Sequence, residues 1–521
     1  MEKKSLFWAD QIAEKILTRK RFRYVNKPVP EIDNFTVKTS ASLSGVLHIG
    51  RLSDTIRGES VHRALKDAGV KTRLIWVAED MDPLRKVPKG VPDSYKKYIG
   101  MPVTDIPDPH GCHDSYAEHH VSEYFKVIDL FVSTKMQKFS MRKEYKKGNF
   151  GPYIKKILGN MDLIVEIQNK YRNNPLPKGW SPWKPICDNC GKIITTEVTG
   201  FSHGVVHYKC KDYCFEKTKA EGCGHVGVNN PMKFNGKLMW KSEWAAQWAR
   251  WKVVSEGAGK EYQVPMSAWW VNAEIVERVL DFPMPEPIFY EHIMIDGKKM
   301  SASLGNVVYP KDWLECAPPE LLRFFYNKKL MKTRSFSWKD LPKLYDDYDE
   351  HARIYTGKKV VENKKEEEHM KRLFEISQIS KPRIPTLSFT HAVMLSQVPR
   401  GKEIEEKSSR ARMTCAAKWV EKHSPENAIK LQDSIPDKIY RKMNKKQKKA
   451  LEKFRDGIKK VKTEDDVKNL CFDISKDMGL KPQEFFKAVY LALLGKERGP
   501  RLAPFVLAVG KKKIAGVLEK I

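Results

Sequence analysis

The segment Asn34–Arg51, NFTVKTSASLSGVLHIGR, decides the fold of this 521-residue chain. Its first part, 34–41, alternates apolar and polar residues as a strand does, and a helix is predicted over roughly 50–68. A second strand is predicted at 70–78, which contains the apolar run Leu74-Ile75-Trp76-Val77. Strand, helix and strand in this order predict a βαβ unit, and hence a parallel sheet of the α/β class.

The turn between the first strand and the helix has the composition of a phosphate site. Gly45 and Gly50 allow a ligand to approach the backbone closely, and a helix N-terminus favours an anion. His48 can donate a hydrogen bond to a phosphate oxygen. Taken alone, the segment is equally typical of an ordinary βα turn that contains glycine.

A second segment, Lys298–Ser303 (KKMSAS), is a polar loop past the middle of the chain. Lys298 and Lys299 can meet the charge that develops on a leaving pyrophosphate. Alone, this loop is also typical of a solvated turn. Together, the two segments predict two halves of one nucleotide site, where a triphosphate is bound and attacked at its α-phosphorus.

The chain changes character along its length, and these changes predict its domains. Residues 1–100 form the first half of a Rossmann-type sheet domain, and residues 237–315 return to α/β character as its second half. The intervening residues, 101–236, are rich in Pro, His, Cys and Lys and are predicted to be an insertion. Helical spacing of apolar residues predicts an all-α domain over 316–521. Within it, Thr463 with Asp466 predicts a capping box at a helix start, and Gly495 predicts a helix end.

The charge of the chain indicates a nucleic-acid partner. Lys and Arg number 95 against 65 Asp and Glu, which gives a net charge of +30. The N-terminus carries acids and lacks the apolar core of a signal peptide, and no window reaches the roughly 18 apolar residues of a membrane span. The nine cysteines cluster with His and Asp, so we expect metal binding in a reducing, cytoplasmic compartment rather than disulfides.

Two cysteine-containing segments predict zinc sites. Cys187 and Cys190 form a Cys-x2-Cys knuckle, Cys210 is the expected third ligand, and either Cys214 or Cys223 completes a tetrahedral structural site. The alternative is a surface loop with unmetallated thiols.

The second segment offers one carboxylate, one thiolate and imidazoles. Asp108, Cys112, His113 and His119 are the predicted ligands, with His119 favoured over His120. The alternative is a polar surface patch or a histidine cluster that faces nucleic acid.

The segments SGVLHIGR and KKMSAS resemble the HIGH and KMSKS signatures of class I aminoacyl-tRNA synthetases. Further segments spread over essentially the whole chain narrow the resemblance to the class I lysyl-tRNA synthetases found mainly in archaea. These segments are Arg85–Pro88, Pro107–His113, Ser242–Trp248, Gly259–Tyr262 and Gly495–Leu502. Three positions depart from the family: Arg51 replaces the second His of HIGH, Ala302 the second Lys of KMSKS, and Tyr262 a histidine thought to face the substrates.

The resemblance implies a ligase that activates lysine with ATP and Mg²⁺ and transfers it to the 2′-hydroxyl of the terminal adenosine of tRNA-Lys. It also implies a helical anticodon-binding region. Within this region Lys496, Arg498 and Arg501 are candidate phosphate contacts, and the alternative is a solvated basic helix end. In the implied ATP site, His48, Lys299 and Ser301 are catalytic. The full set of implied ATP ligands is Gly45, His48, Gly50, Lys298, Lys299, Met300 and Ser301.

The resemblance also implies a lysine pocket with an acid for the ε-ammonium and apolar walls for the carbon stem. Asp54 occupies the position of the family's ammonium-binding Glu, and Trp244 and Tyr290 are candidate walls. The alternative is that Asp54 is an ordinary acid on the helix surface. Two alternatives stay open: a glutamyl- or cysteinyl-tRNA synthetase of the same class, and a catalytically inactive tRNA-binding paralogue.

Overall fold

The computed structural model describes residues 6–42, 48–88, 90–300, 306–382, 386–398 and 405–519. The chain divides into two compact units. The first unit consists of Met1–Lys311, Pro319–Phe336 and Arg353–Lys381. The second consists of Asp312–Pro318, Ser337–Ala352 and Pro382–Ile521.

The strands in chain order are β1 Phe35–Ser42, β2 Thr72–Glu79, β3 Gln137–Ser140, β4 Trp183–Pro185, β5 Thr196–Ser202, β6 Val205–Cys210, β7 Tyr213–Cys214, β8 Lys219–Ala220, β9 Val226–Asn229, β10 Gly236–Leu238, β11 Val253–Gly259, β12 Glu286–Tyr290, β13 Ile293–Ile295, β14 Lys298–Lys299 and β15 Arg334–Phe336. The helices are α1 Trp8–Thr18, α2 Ile49–Asp67, α3 Tyr116–Ile128, α4 Met141–Lys146, α5 Gly151–Gly159, α6 Met161–Lys170, α7 Trp240–Trp251, α8 Ala268–Arg278, α9 Pro310–Cys316, α10 Pro319–Asn327, α11 Leu341–Tyr355, α12 Lys364–Ser377, α13 Phe389–Leu395, α14 Lys407–His423, α15 Asp437–Lys442, α16 Lys445–Ile458, α17 Glu464–Asp477, α18 Pro482–Leu494, α19 Leu502–Val509 and α20 Lys511–Val517. Among the residues described, no helix is both long enough and apolar enough to cross a bilayer.

A five-stranded sheet forms the centre of the first unit. Its order is β12-β11-β1-β2-β3, and every neighbouring pair is parallel. The predicted α/β class and the predicted βαβ unit, which is β1-α2-β2, are confirmed. The carboxyl ends of parallel strands meet at one edge of a sheet, so the last residues of β1, β11 and β12 lie along the same edge.

Helix α2 packs closely on this sheet and is buried around most of its circumference. A Cβ on Gly58 would lie 2.4 Å from Cγ2 of Thr39 on β1, so only glycine permits this approach of helix to strand. A helix buried on all sides usually carries apolar residues all round. This one instead buries Asp54, Arg57 and Glu59, which places charged side chains inside the unit.

The residues between β2 and β11 contain small antiparallel sheets. These sheets are β5-β6-β9, the hairpin β7-β8 and the pair β10-β4. The segment 101–236, predicted as an insertion, also contains β3, which pairs in parallel with β2 at the edge of the central sheet. This edge strand has only four residues, QKFS, and is too short and too polar for its sequence pattern to indicate a strand.

The KKMSAS segment begins on a hairpin. Strand β13 pairs with β14 in antiparallel fashion and with β15 in parallel fashion. Asp296 and Gly297 connect β13 to β14, and both have positive φ angles, 49° and 75°. Two consecutive residues with positive φ form a type I′ turn, whose twist matches that of the two strands of a tight hairpin.

The second unit contains only helices among its described residues, in agreement with the all-α class predicted for the C-terminal region. The predicted range 316–521 extends beyond this unit, because 319–336 and 353–381, including strand β15, belong to the first unit. Arg412 makes a bidentate ion pair with Asp349, with N–O distances of 2.6 and 2.8 Å. The predicted capping box, in which Thr463 and Asp466 start α17, is confirmed, and Gly495 ends α18 with a φ of 68°.

Candidate functional site

His48 occupies the N-cap of α2. Its Nδ1 accepts a hydrogen bond from the Gly50 N–H at 3.1 Å. Burial, with a contribution from Arg51, lowers the pKa of His48 to about 4, so the ring is neutral near pH 7. Because Nδ1 is the acceptor, the neutral ring carries its proton on Nε2, and that N–H is the group available to a phosphate oxygen.

The two signature segments meet at Gly50. A Cβ built on Gly50 would lie 2.8 Å from Cε1 of His48 and 2.8 Å from Cε of Met300. The histidine at the helix start and the methionine of the KKMSAS segment therefore converge on one backbone position, although they are far apart in sequence. This is the convergence that a shared nucleotide site requires.

The lysines of the second segment lie on β14. Lys298 and Lys299 are exposed opposite β13, and the backbone carbonyl of Lys299 accepts a hydrogen bond from Asn306 Nδ2 at 3.1 Å. Because lysine carries its ammonium group on a long flexible stem, these exposed side chains can reorient toward a bound polyphosphate. Two predicted site residues, Gly45 and Ser301, lie outside the described residues.

Asp54 and Tyr290 lie together, close to the start of α2. The carboxylate of Asp54 accepts from the Ser40 N–H at 3.2 Å and from the Tyr290 hydroxyl at 3.5 Å. A Cβ on Gly257 would lie 2.1 Å from Oδ1 of Asp54, so β11 leaves room for this carboxylate only because it has a glycine there. Burial, followed by the charge of Glu256, raises the pKa of Asp54 to about 7.

Trp244, the other predicted pocket wall, is buried on α7. Its indole N–H donates to Glu256 Oε2 at 2.9 Å, and its ring lies 5.2 Å from that of Tyr262. Tyr262, the departure from the family pattern, therefore packs edge-on against this tryptophan. Trp244 is linked to Asp54 through Glu256, which accepts the indole N–H and whose charge acts on Asp54. Tyr262 is more exposed to solvent than Trp244.

A buried ionic group below the site was not predicted from the sequence. Lys38 on β1 is fully buried, and its Nζ lies 2.6 Å from Glu256 Oε1 and 3.7 Å from Glu79 Oε1. Charged residues rarely occur inside parallel strands, whose faces are both covered by helices. Lys38 in the FTVKTS segment could have indicated a buried charge. The alternation of residues along one strand cannot identify its partners, because Glu79 and Glu256 lie on other strands.

Four cysteines group as one predicted site requires. The sulfurs of Cys187 and Cys223 are 3.6 Å apart, those of Cys190 and Cys210 are 3.7 Å apart, and all four lie within 4.8 Å of one another. A zinc ion with Zn–S bonds of about 2.3 Å has sulfur–sulfur edges of about 3.8 Å. Of the two residues left open by the sequence, Cys223 lies in this group, whereas Cys214 lies outside it on β7.

A second group contains the other four predicted ligands. Asp108 Oδ2 lies 3.2 Å from the sulfur of Cys112 and 3.4 Å from Nδ1 of His119. The sulfur of Cys112 lies 3.1 Å from Nδ1 of His113 and 3.2 Å from Nδ1 of His119. These distances match the edges of a tetrahedron around a zinc-sized ion.

Neighbouring groups orient the second cluster. Nε2 of His113 is 2.8 Å from the Ser122 hydroxyl, the kind of contact that fixes the tautomer of a metal-binding imidazole. Backbone N–H groups, including those of Cys112 and His113, outweigh burial and hold the pKa of Asp108 well below its usual range. His120 lies outside the cluster, and its ring packs against Tyr116 at 4.4 Å.

Comparison with known proteins agrees with this geometry. The family model "tRNA synthetases class I (K)" matches residues 6–380, and the model "Anticodon binding domain" matches residues 426–520. The chain is 30% identical to proteins named lysine–tRNA ligase from Methanosphaera stadtmanae and Methanocaldococcus jannaschii, in each case over 97% of this chain and 98% of the relative. A third, from Thermococcus kodakarensis, is 31% identical over the same shares. The chain belongs to the family of class I lysyl-tRNA synthetases.

Proposed function

We propose that this protein is a lysine–tRNA ligase. Lysine carboxylate attacks the α-phosphorus of ATP, the bond to the β-phosphate oxygen breaks, and lysyl-adenylate and pyrophosphate form. The 2′-hydroxyl of the terminal adenosine of tRNA-Lys then attacks the activated carbonyl, and AMP leaves. The observation that carries the proposal is the approach of both His48 and Met300 to Gly50, together with family membership.

Positioning and charge neutralisation supply the catalysis in the proposed first step. His48, with Gly45 and Gly50, holds the triphosphate at the N-terminus of α2, where the helix dipole favours an anion. The exposed Lys298 and Lys299, with Met300 and Ser301 beside them, close on the leaving pyrophosphate. ATP enters as its Mg²⁺ complex, and the magnesium ion neutralises phosphate charge.

The proposed lysine pocket places Asp54 at the ε-ammonium. Above pH of about 7 its carboxylate is ionised, which an ammonium substrate needs. Tyr290 contributes one wall through its hydroxyl contact with Asp54, and Trp244 contributes the deeper wall beside Glu256. An acid at this position disfavours glutamate, whose side chain requires a basic pocket.

We propose two structural zinc ions. Cys187, Cys190, Cys210 and Cys223 would hold one, because their sulfur separations fit a tetrahedral ion. Asp108, Cys112, His113 and His119 would hold the other. Zinc bound in closed four-ligand sites supplies cross-links between loops rather than reaction chemistry.

The proposed domain organisation follows the function. Residues 1–100 and 237–315 belong to the catalytic domain and 101–236 to the zinc-bearing insertion. The anticodon-binding domain lies within 316–521, in the part of this range that belongs to the second unit. The match of residues 426–520 to an anticodon-binding model supports the last assignment. All nine cysteines are free of disulfides, which supports a reducing compartment, and we propose the cytoplasm.

Charging of unfractionated tRNA with each of the twenty amino acids tests the proposal. We expect lysine alone to be attached, in an ATP-dependent reaction. Attachment of glutamate or cysteine would establish a different specificity. Binding of tRNA without any charging would establish a non-catalytic paralogue.

Asp54→Ala should raise the KM for lysine far more than the KM for ATP, and an equal effect on both would contradict the proposed pocket.

A further inference from the structure

Arg57 is a buried cation that the proposed reaction does not use. It lies on α2 with no exposed surface, and none of its three guanidinium nitrogens has a hydrogen-bond partner among the residues described. Buried arginine side chains normally donate to carboxylates or carbonyls, because an unpaired charge away from water is costly. Arg323, equally buried, follows that rule and pairs with Glu59.

The surroundings of Arg57 are aromatic. Its guanidinium carbon lies 4.5 Å from the ring centroid of Tyr290 and 5.4 Å from that of Tyr326. A cation over the face of a tyrosine is attracted to the ring without a hydrogen bond. Tyr290 is the same residue whose hydroxyl contacts Asp54, so Arg57 packs against the back of the proposed lysine pocket.

Arg57 also lies one helical turn after Asp54, on the same face of α2. The charges that act on Asp54 come from several elements. Glu256 on β11 raises its pKa, whereas Lys38 on β1 and Arg57 lower it. Lys38 is already paired with Glu256 at 2.6 Å, whereas the guanidinium of Arg57 has no hydrogen-bond partner among the residues described.

Two phenols complete the set of titratable groups around Asp54. Tyr290 on β12 donates to its Oδ1, and Tyr124 on α3 lies near enough for the carboxylate to raise its pKa further. Burial keeps both phenols neutral near pH 7, because it raises their pKa values well above 10. Burial raises the pKa of Asp54 most, and the charge of Glu256 raises it further, whereas the Ser40 N–H, Lys38 and Arg57 lower it.

We propose that Arg57 is a positioning residue of the amino-acid pocket. Its charge lies one helical turn from Asp54 and favours the ionised carboxylate, and its guanidinium packs on the ring of Tyr290. Binding of the ε-ammonium of lysine to Asp54 then depends on the positive charge of Arg57, although Arg57 does not touch the substrate. This inference rests on the proposed lysine specificity and extends it.

The test compares the pH dependence of lysine use in the wild type and in Arg57→Met and Arg57→Lys. In the wild type, the KM for lysine should rise as the pH falls below about 7, about tenfold per pH unit, because Asp54 becomes protonated. Arg57→Met should move this rise to higher pH and raise the KM near pH 7 severalfold, because a positive charge that favours the carboxylate is lost. The kcat and the KM for ATP should change little, and Arg57→Lys should restore most of the profile.

Two further variants separate this role from a general effect on folding. Arg63→Met removes an arginine from the same helix that donates to the carbonyls of Ile376 and Gln378, and should lower the melting temperature without moving the pH profile. In Asp54→Asn, adding Arg57→Met should have no further effect on the KM for lysine. An unshifted profile in Arg57→Met, or additive effects in the double variant, would overturn the inference. A wild type that charges no lysine would instead refute the proposed function, and the inference with it.

Discussion

At the scale of single residues, the tautomer of His48 makes a prediction about its substitutes. Nδ1 accepts from the Gly50 N–H, so a phosphate can be contacted only through Nε2. A glutamine amide reaches the position of Nε2, whereas an asparagine amide reaches that of Nδ1. We expect His48→Asn to slow ATP-dependent charging about 10²–10³-fold, as for loss of a donor to a developing charge. His48→Gln should retain more activity, and equal losses in single-turnover assays would contradict the assigned donor.

Gly257 gives a second prediction at this scale. A Cβ at this position would overlap Oδ1 of Asp54 at 2.1 Å, so Gly257→Ala must displace the carboxylate from the Ser40 N–H and the Tyr290 hydroxyl. We expect the KM for lysine to rise by about tenfold or more, equivalent to roughly 1.4 kcal/mol. Gly200→Ala, where a Cβ meets open space, is the matched control. An unchanged KM in Gly257→Ala would show that Asp54 does not bind the ε-ammonium of lysine.

At the scale of elements, the cysteine loops decide between two ligands. Cys223 lies with Cys187, Cys190 and Cys210, whereas Cys214 lies outside the group on β7. We expect elemental analysis to find two zinc ions per chain in the wild type and in Cys214→Ser, but one in Cys223→Ser. Loss of the metal should also lower the melting temperature, because binding energy contributes directly to folding. Loss of zinc in Cys214→Ser would contradict this ligand set.

Helix α17 carries an aromatic side chain on its outer face. Phe472 is 56% exposed, the only large apolar side chain exposed to this degree in the described part of the second unit. Lys468 and Lys476 lie one turn to either side of it. We expect Phe472 to stack on an unpaired base of tRNA-Lys. Phe472→Ala should then weaken the binding free energy, measured from the Kd for tRNA-Lys, by about 1–3 kcal/mol. Phe472→Tyr should keep the affinity, and equal affinity in the alanine variant would exclude a stacking role.

At the scale of the whole molecule, the charge of +30 predicts salt-sensitive association with tRNA. Phosphate neutralisation releases counterions, so the logarithm of the affinity should fall linearly with the logarithm of the salt concentration. Contact with about six phosphates would weaken binding about 10³-fold between roughly 50 and 200 mM salt. Titration of labelled tRNA-Lys at several salt concentrations measures this slope. A flat line would mean that the basic charge of this chain does not serve tRNA binding.

Local patterns predicted much of the fold and of the site. The βαβ unit, the capping box at Thr463 and the helix end at Gly495 depend on residues close together in sequence, and each is confirmed. The Cys187–Cys190 knuckle is equally local. The short edge strand β3 was not predicted, because its four residues acquire their conformation by pairing with β2.

By itself, the sequence determined the βαβ unit and several helix ends, which residue types can carry the chemistry, and which family the chain resembles. Only the tertiary structure decided which of them meet: Met300 with Gly50, Gly257 with Asp54, and Cys223 rather than Cys214 with the knuckle. The physical reason is that propensity and capping act over a few residues. Contacts between distant segments are set by sheet order, strand register and the packing of buried charges.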